Sequence, residues 1–248
     1  MAYPTAATVI SKAARELGLV SADLVDPFGS SDTNILQLCA LLEALGQDLC
    51  EEHPWAVLQR SHTLSTADGV AAYDFPSDFD RLADGSEWNR TQQWPLTPVS
   101  PQQWQTLKAR SESGTVFQLF RVAVQTGSDG SQLVIHPTPT SVETLAFEYL
   151  STSWVDPTGA GGTPSSGEVT DADDVLYFKQ RLLITGLKSR FSRAKGLPSG
   201  AVDAEFADAL DRAKGGDGAA PVLSLSRGSP ANFRFIDGLN VPDQGLGE

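Results

Sequence analysis

The chain has little from which to build catalytic chemistry. Its 248 residues include three histidines, two cysteines and one methionine. None of His53, His62 and His136 has a second His or Cys at ligand spacing, and neither an HExxH nor a CxxC pair occurs. Each histidine reads as a surface or capping residue. No serine sits in a GxSxG elbow. The glycine-rich run from Gly159 to Gly167 lacks the Lys-Ser/Thr that completes a phosphate loop, and Pro164 interrupts it. A catalytic triad assembled from distant residues is defined by geometry, so the sequence is silent on it. The expectation is a chain with no cofactor, no metal and no enzymatic activity.

Positive charge is also scarce, with 18 Lys and Arg against 31 Asp and Glu and a formal net charge of −13. A general affinity for nucleic acid needs cations to neutralise phosphates, so this balance argues against it. No run approaches the roughly 18–20 apolar residues of a membrane helix, and the polar N-terminus does not read as a signal peptide. A soluble, cytoplasmic chain is expected, without a membrane partner. Cys39 and Cys50 lie eleven residues apart in one predicted helix, which separates them by about 16 Å along its axis. That exceeds disulfide reach, and both read as small buried hydrophobes in a reducing compartment.

The patterns that are present alternate between helical and β periods. Residues 5–17 read as an amphipathic helix with Val9, Ile10, Ala13 and Leu17 on one side. Ser31 or Asp32 caps a longer helix to about Glu52, striped by Ile35, Leu38, Leu42, Leu45 and Leu49. From Trp55 to Val155 the spacing predicts strands at 57–65, 70–75, 115–125, 132–136 and 144–151. Asp68-Gly69 and the Gly127–Gly130 run supply hairpin turns, and a helix starts near Ser100-Pro101. Residues 156–168 read as a flexible linker. A helix with a capping-box-like start at Thr170 follows and ends at Arg193–Gly196, and another spans about 200–214.

These elements predict an α+β fold. Helices of 1–54 and 170–215 form a bundle around an inserted antiparallel β-rich domain at 55–155, with a linker at 156–169. Residues 216–248 form an extended C-terminal arm, in which Leu223, Leu225, Phe233 and Phe235 alternate in two short runs ahead of Ile236. Such an arm needs a neighbour to bury those side chains.

Two clusters invite chemistry. Asp74, Asp78, Asp80 and Asp84 suggest paired carboxylates or a cation site, but their spacing is not that of a calcium loop, and turn formation explains them better. Six basic residues and no acidic one lie between Lys179 and Lys195. They spread over several helix faces, and the last of them suit a helix C-terminus, so a solvated or subunit-contact face is preferred to DNA binding.

The segments HPWAVLQR, AAYDFPSDFDRLADGSEW and ETLAFEYLSTSW carry a family resemblance. In the second, Tyr73, Phe75, Pro76, Asp78 and Arg81 follow the helix that closes on Pro54-Trp55. This order, over about residues 30–215, resembles the phage head-to-tail adaptors similar to tail tubular protein A. The resemblance implies a ring, commonly of twelve copies, beneath the portal. The ring extends the DNA channel and provides the attachment site for the tail or nozzle protein. It implies a structural protein of the virion at the head–tail junction, assembled in the host cytoplasm, past which DNA slides without specific binding. Leu223, Leu225, Phe233, Phe235 and Ile236 are then expected to dock on portal or a neighbouring subunit. Arg190, Arg193 and Lys195 are expected to meet acidic residues of the next copy. The alternatives are another tail-completion or virion protein, a peptidoglycan hydrolase using the Asp cluster, and a carbohydrate-binding module using Trp55, Trp88, Trp94, Trp104 and Trp154.

Overall fold

Two short polar side chains set the first helices. The Thr5 hydroxyl accepts the Thr8 N–H at 3.3 Å and caps α1 (Ala6–Glu16). The Asp32 carboxylate accepts the Asn34 N–H at 2.8 Å and caps α2 (Thr33–Glu52). Both helices fall within a residue or two of the predicted spans. The computed structural model describes residues 3–110, 118–124, 130–157 and 162–217. Met1–Gly218 form one compact unit, and Ala219–Glu248 a second that lies outside the described residues, with the predicted anchors Leu223, Leu225, Phe233, Phe235 and Ile236.

After α2 a 3-10 turn at Ala56–Leu58 leads into β1 (Gln59–Ser65), so the strand predicted from Val57 begins two residues late. Then come β2 (Ala72–Asp74), β3 (Phe79–Leu82), β4 (Trp88–Asn89), β5 (Trp94–Pro95) and β6 (Thr97–Pro98). The predicted helix is α3 (Pro101–Arg110), followed by β7 (Leu119–Val124), β8 (Ser131–His136) and β9 (Thr144–Ser151). The first sheet is built on β9, which pairs antiparallel with β1 along one edge and with β3 and β4 along the other; β5 continues beyond β4. The second sheet runs β2-β8-β7-β6, antiparallel except for the parallel β6–β7 contact. Side chains of both sheets, Leu145, Phe147 and Tyr149 with Tyr73, Phe120, Leu133 and Ile135, share one apolar core.

The Asp68-Gly69 turn exists, with Gly69 at φ +75° and its N–H bonded to Pro139 O at 2.9 Å, but it does not make a hairpin. The strands on either side of it join different sheets. The buried Tyr73 holds this crossing: its hydroxyl donates to Val70 O at 2.7 Å and accepts the Ala67 N–H at 2.9 Å.

Beyond β9, β10 (Val155–Asp156) pairs with β11 (Val175–Leu176), and residues 165 and 166 bond back to Val155. The helix predicted from Thr170 starts later, as α4 (Gln180–Ala194). The Asp174 carboxylate accepts both the Thr170 and Asp171 N–H groups, at 2.7 and 2.9 Å. It closes a loop there and frees residues 175–176 to pair as a strand. After a turn at Gly196 (φ +68°) comes α5 (Gly200–Gly215), the last described element. α4 packs against α1, α2 and α5. Their shared core contains Val9, Ile10, Leu38, Leu42, Leu45, Leu183 and Leu187.

Two glycines permit the closest approaches. A Cβ on Gly186 of α4 would lie 2.8 Å from Leu45 of α2, and one on Gly46 would lie 1.9 Å from the indole of Trp154. Trp154, immediately beyond β9, is 0% exposed and bonds through Nε1–H to Gly167 O at 3.0 Å. Trp154, Phe178 and Trp55 form a chain of ring contacts at 5.7 and 5.6 Å where the helical and β halves meet.

Gly46→Ala should therefore lose stability, although alanine is the better helix former by about 0.5–1 kcal/mol. Overpacking of about 1–3 kcal/mol against the indole wins. A thermal melt should show a drop of a few degrees. Gly200→Ala, where an added Cβ meets nothing within 4 Å, should leave the melting temperature unchanged or raise it slightly.

Candidate functional site

The acidic cluster is dispersed by the strands that carry it. Asp74 at the end of β2 accepts from Gln132 at 2.6 Å, and Asp80 in β3 lies 3.5 Å from Arg81. Asp78 accepts the Tyr149 hydroxyl at 2.9 Å and the Ser151 hydroxyl at 2.6 Å, and its carbonyl takes the Thr152 N–H at 2.8 Å. It thus fastens the segment before β3 to the end of β9. The turn reading holds for the Pro76-Ser77 break, but Phe79–Leu82 pairs as a strand beyond it. Burial, and then the Asp78 carboxylate, push the Tyr149 phenol up to about 12. Among the described residues no three His, Cys, Asp or Glu side chains come together as a metal site.

A buried carboxylate stands just ahead of β9. Glu143 accepts from Asn89 at 2.7 Å, Gln118 at 2.5 Å and Gln92 at 3.0 Å. These amides tie the β4–β5 hairpin and the entry to β7 to the start of β9. Their spacing in sequence is irregular, so no pattern announced them.

The histidines stand apart. His53 follows α2 with its ring 4.8 Å from Trp55, His62 lies in β1 at 5.3 Å from Phe147, and His136 is 5.9 Å from Trp104. Trp55, Trp104 and Trp154 are buried and Trp88 half-buried, leaving Trp94 at 53% exposure. One exposed ring is a thin basis for a carbohydrate platform, which gains from several stacked faces.

A cavity of about 530 Å³ opens where α2, β9 and the segment after β10 meet. Gln47, Cys50, Glu51, Asp80, Thr152 and Glu168 are among its walls. Burial pushes the Cys50 thiol up to about 12, with Asp80 and Glu51 adding to the effect. Burial likewise raises Cys39 to about 11. Both thiols are free, and neither is poised as a nucleophile. The segment 162–168 beside this cavity, predicted as part of a linker, bonds to Trp154 and Val155.

Four of the six cations in the basic run pair with carboxylates of the same chain while remaining at least partly exposed. Arg181 and Lys188 each pair with both Glu16 of α1 and Glu205 of α5, Lys188 at 2.7 and 3.3 Å. Burial opposes the Lys188 charge, but the two carboxylates raise its pKa overall. Arg190 pairs with Asp48 of α2, and Arg193 with Asp203 of α5 at 3.1 Å. Hydrogen bonds from Ser189 and Ser199, together with Arg193, hold the Asp203 carboxyl below its usual range. Lys195 is exposed, with its ammonium 5.4 Å from the Phe191 ring centroid. Of the residues expected to meet a neighbour, Arg190 and Arg193 thus have partners within the chain, and Lys195 projects from the turn after α4.

No described helix is long and apolar enough to cross a membrane. The family model described as SU10 adaptor protein matches residues 4–227. It agrees with the adaptor class suggested by the helix–strand order, and lends no support to the narrower likeness to tail tubular protein A. No curated protein matches the chain.

Asp78→Ala should lower stability by about 1–3 kcal/mol, because two hydroxyl donors lose their acceptor; chemical denaturation measures it. The thiols give a second check. Labelling of native protein with a disulfide reagent should be slow at pH 8 and rise about tenfold per pH unit toward the raised pKa values. Labelling of unfolded protein should level off near pH 9. Each raised pKa also stabilises the fold fully below the unfolded value, near 9 for these thiols and 10 for Tyr149. That contribution disappears as pH climbs toward 11–12, so unfolding free energy should fall steeply across that window.

Proposed function

The chain belongs to the SU10 adaptor protein family, and from that premise we propose that it is the subunit of a ring joining head to tail in a tailed bacteriophage. Membership gives it a structural, non-enzymatic role as a phage adaptor and a component of the virion. The finer reading is a ring of about twelve copies under the portal, extending the DNA channel and offering the tail or nozzle protein its attachment site.

The observation that carries this reading is the extent of the match. Residues 4–227 run through α1, α2, both sheets, α4 and α5, so the likeness covers helical and β halves together. The charge supports it: at −13 per chain, a ring multiplies acidic surface around any central passage, which repels phosphates and favours sliding over binding. Side-to-side contact in a closed ring joins two different surfaces of one chain. The C-terminal end of α4 supplies one, with Lys195 exposed and Arg190 and Arg193 beside it. An acidic face of the neighbour supplies the other. Residues 219–248 reach portal or the adjacent subunit, with Leu223, Leu225, Phe233, Phe235 and Ile236 as anchors.

Deleting residues 219–248 should weaken co-sedimentation with portal rings by tenfold or more while leaving the melting temperature of the compact unit nearly unchanged. Equal portal binding with and without the segment contradicts the anchor assignment. Lys195→Glu should weaken association between copies, most clearly at low salt. Association and salt dependence matching those of the unaltered chain contradict the contact.

A further inference from the structure

The 3-10 turn Ala56–Leu58 begins without a cap of its own. The residue at its cap position is Trp55, whose side chain makes no capping hydrogen bond. An indole offers only a donor, and that N–H is committed to Leu49 O at 2.5 Å. The Ala56 N–H is satisfied from far along the chain, by Asp217 Oδ2 at 2.8 Å across 161 residues. The same oxygen lies 3.5 Å from His53 Nε2. Three residues before Asp217, Lys214 pairs with Glu52 of α2 at 2.6 Å. The end of α5 is therefore attached twice to the end of α2. Asp217 is also the last described residue before 218–248, and its side chain is only 16% exposed.

We propose that Asp217 is a clasp: it supplies the cap that Trp55 cannot, and so fixes at the α2–β1 junction the point from which the C-terminal segment departs toward its partner. The inference rests on the reading of that segment as a partner-binding arm. A carboxylate accepting a backbone N–H makes a charge-assisted bond, stronger than a neutral one. A segment whose root is already held surrenders less conformational freedom on docking, so a fixed departure point strengthens the complex without adding a contact to the partner. Lys214–Glu52 holds the helix end in register but leaves Asp217 to orient the last peptide units. Sequence alone gives no sign of the clasp, because an Asp-Gly after a helix reads as an ordinary stop.

Amide hydrogen exchange at Ala56 and Leu58 tests the bond directly in the full chain, compared among wild type, Asp217→Ala and Asp217→Asn. Ala56 should exchange about fivefold faster in Asp217→Ala, the factor expected for a lost cap. Asp217→Asn retains an acceptor and should stay within about twofold of wild type. Leu58, whose N–H bonds to Trp55 O at 3.0 Å, should change less. Portal binding, measured on the same proteins, should weaken about fivefold in Asp217→Ala. Unaltered exchange at Ala56 in Asp217→Ala overturns the clasp. Faster exchange with full portal affinity overturns its role in setting the segment's departure, while the adaptor reading stands if deletion of 219–248 still weakens binding. If that deletion has no effect, the arm assignment fails and the inference fails with it.

Discussion

The contact on which the rest of the structure depends is the one between Gly46 and Trp154. A helix surface and a strand exit meet there without a side chain between them, because any Cβ at position 46 would overlap the indole. Burying that indole completely removes a large apolar surface from water, on the order of a few kcal/mol. It also fixes the direction in which the chain leaves β9. The Trp154 carbonyl accepts the Tyr177 N–H at 3.0 Å and its amide bonds to Ser166 O at 3.0 Å, so residues 166 and 177 take their positions from it. Phe178 and Trp55 pack on the same ring chain. The helical and β halves are joined by packing and backbone bonding at this point as well as by the covalent chain.

Charge organises the helical half in a complementary way. The run of cations expected to form a solvated or subunit-contact face is largely exposed, and four of its six members also pair with carboxylates of the same chain. Two of its members bridge α1 and α5, and two more reach α2 and α5. Exposed pairs of this kind contribute little each, about 0–1 kcal/mol. Six of them, made by four cations of one helix, still bias which neighbours it accepts. Lys188, with 14% side-chain exposure and two carboxylate partners, is the most deeply placed.

The helices were the most legible part of the sequence. Their Leu stripes and the Ser31 or Asp32 cap place α2 to within a residue or so, because burial and capping there are local and periodic. The long strands were visible for the same reason, and Thr144–Ser151 falls where alternation predicted it. The two-residue strands β4, β5, β6, β10 and β11 were not, since two residues carry no period. Thr170 misled because capping chemistry at a helix start and at a tight loop is the same hydrogen bond, here made by Asp174. Asp78 of the Asp cluster bonds to Tyr149 and Ser151, more than 70 residues away, a pairing that no local spacing in the sequence could assign. Gly46 and Asp217 carried no signal at all: one matters for what it lacks, the other for a backbone group 161 positions distant.

Assembly is the property that decides the adaptor role. Electron microscopy of the purified chain mixed with the portal ring of its own virus measures this most directly. The adaptor reading predicts a second ring stacked on the portal, with a continuous central channel and the β sandwiches repeated around it. Portal rings that remain bare, with the chain present in excess and folded, would contradict it.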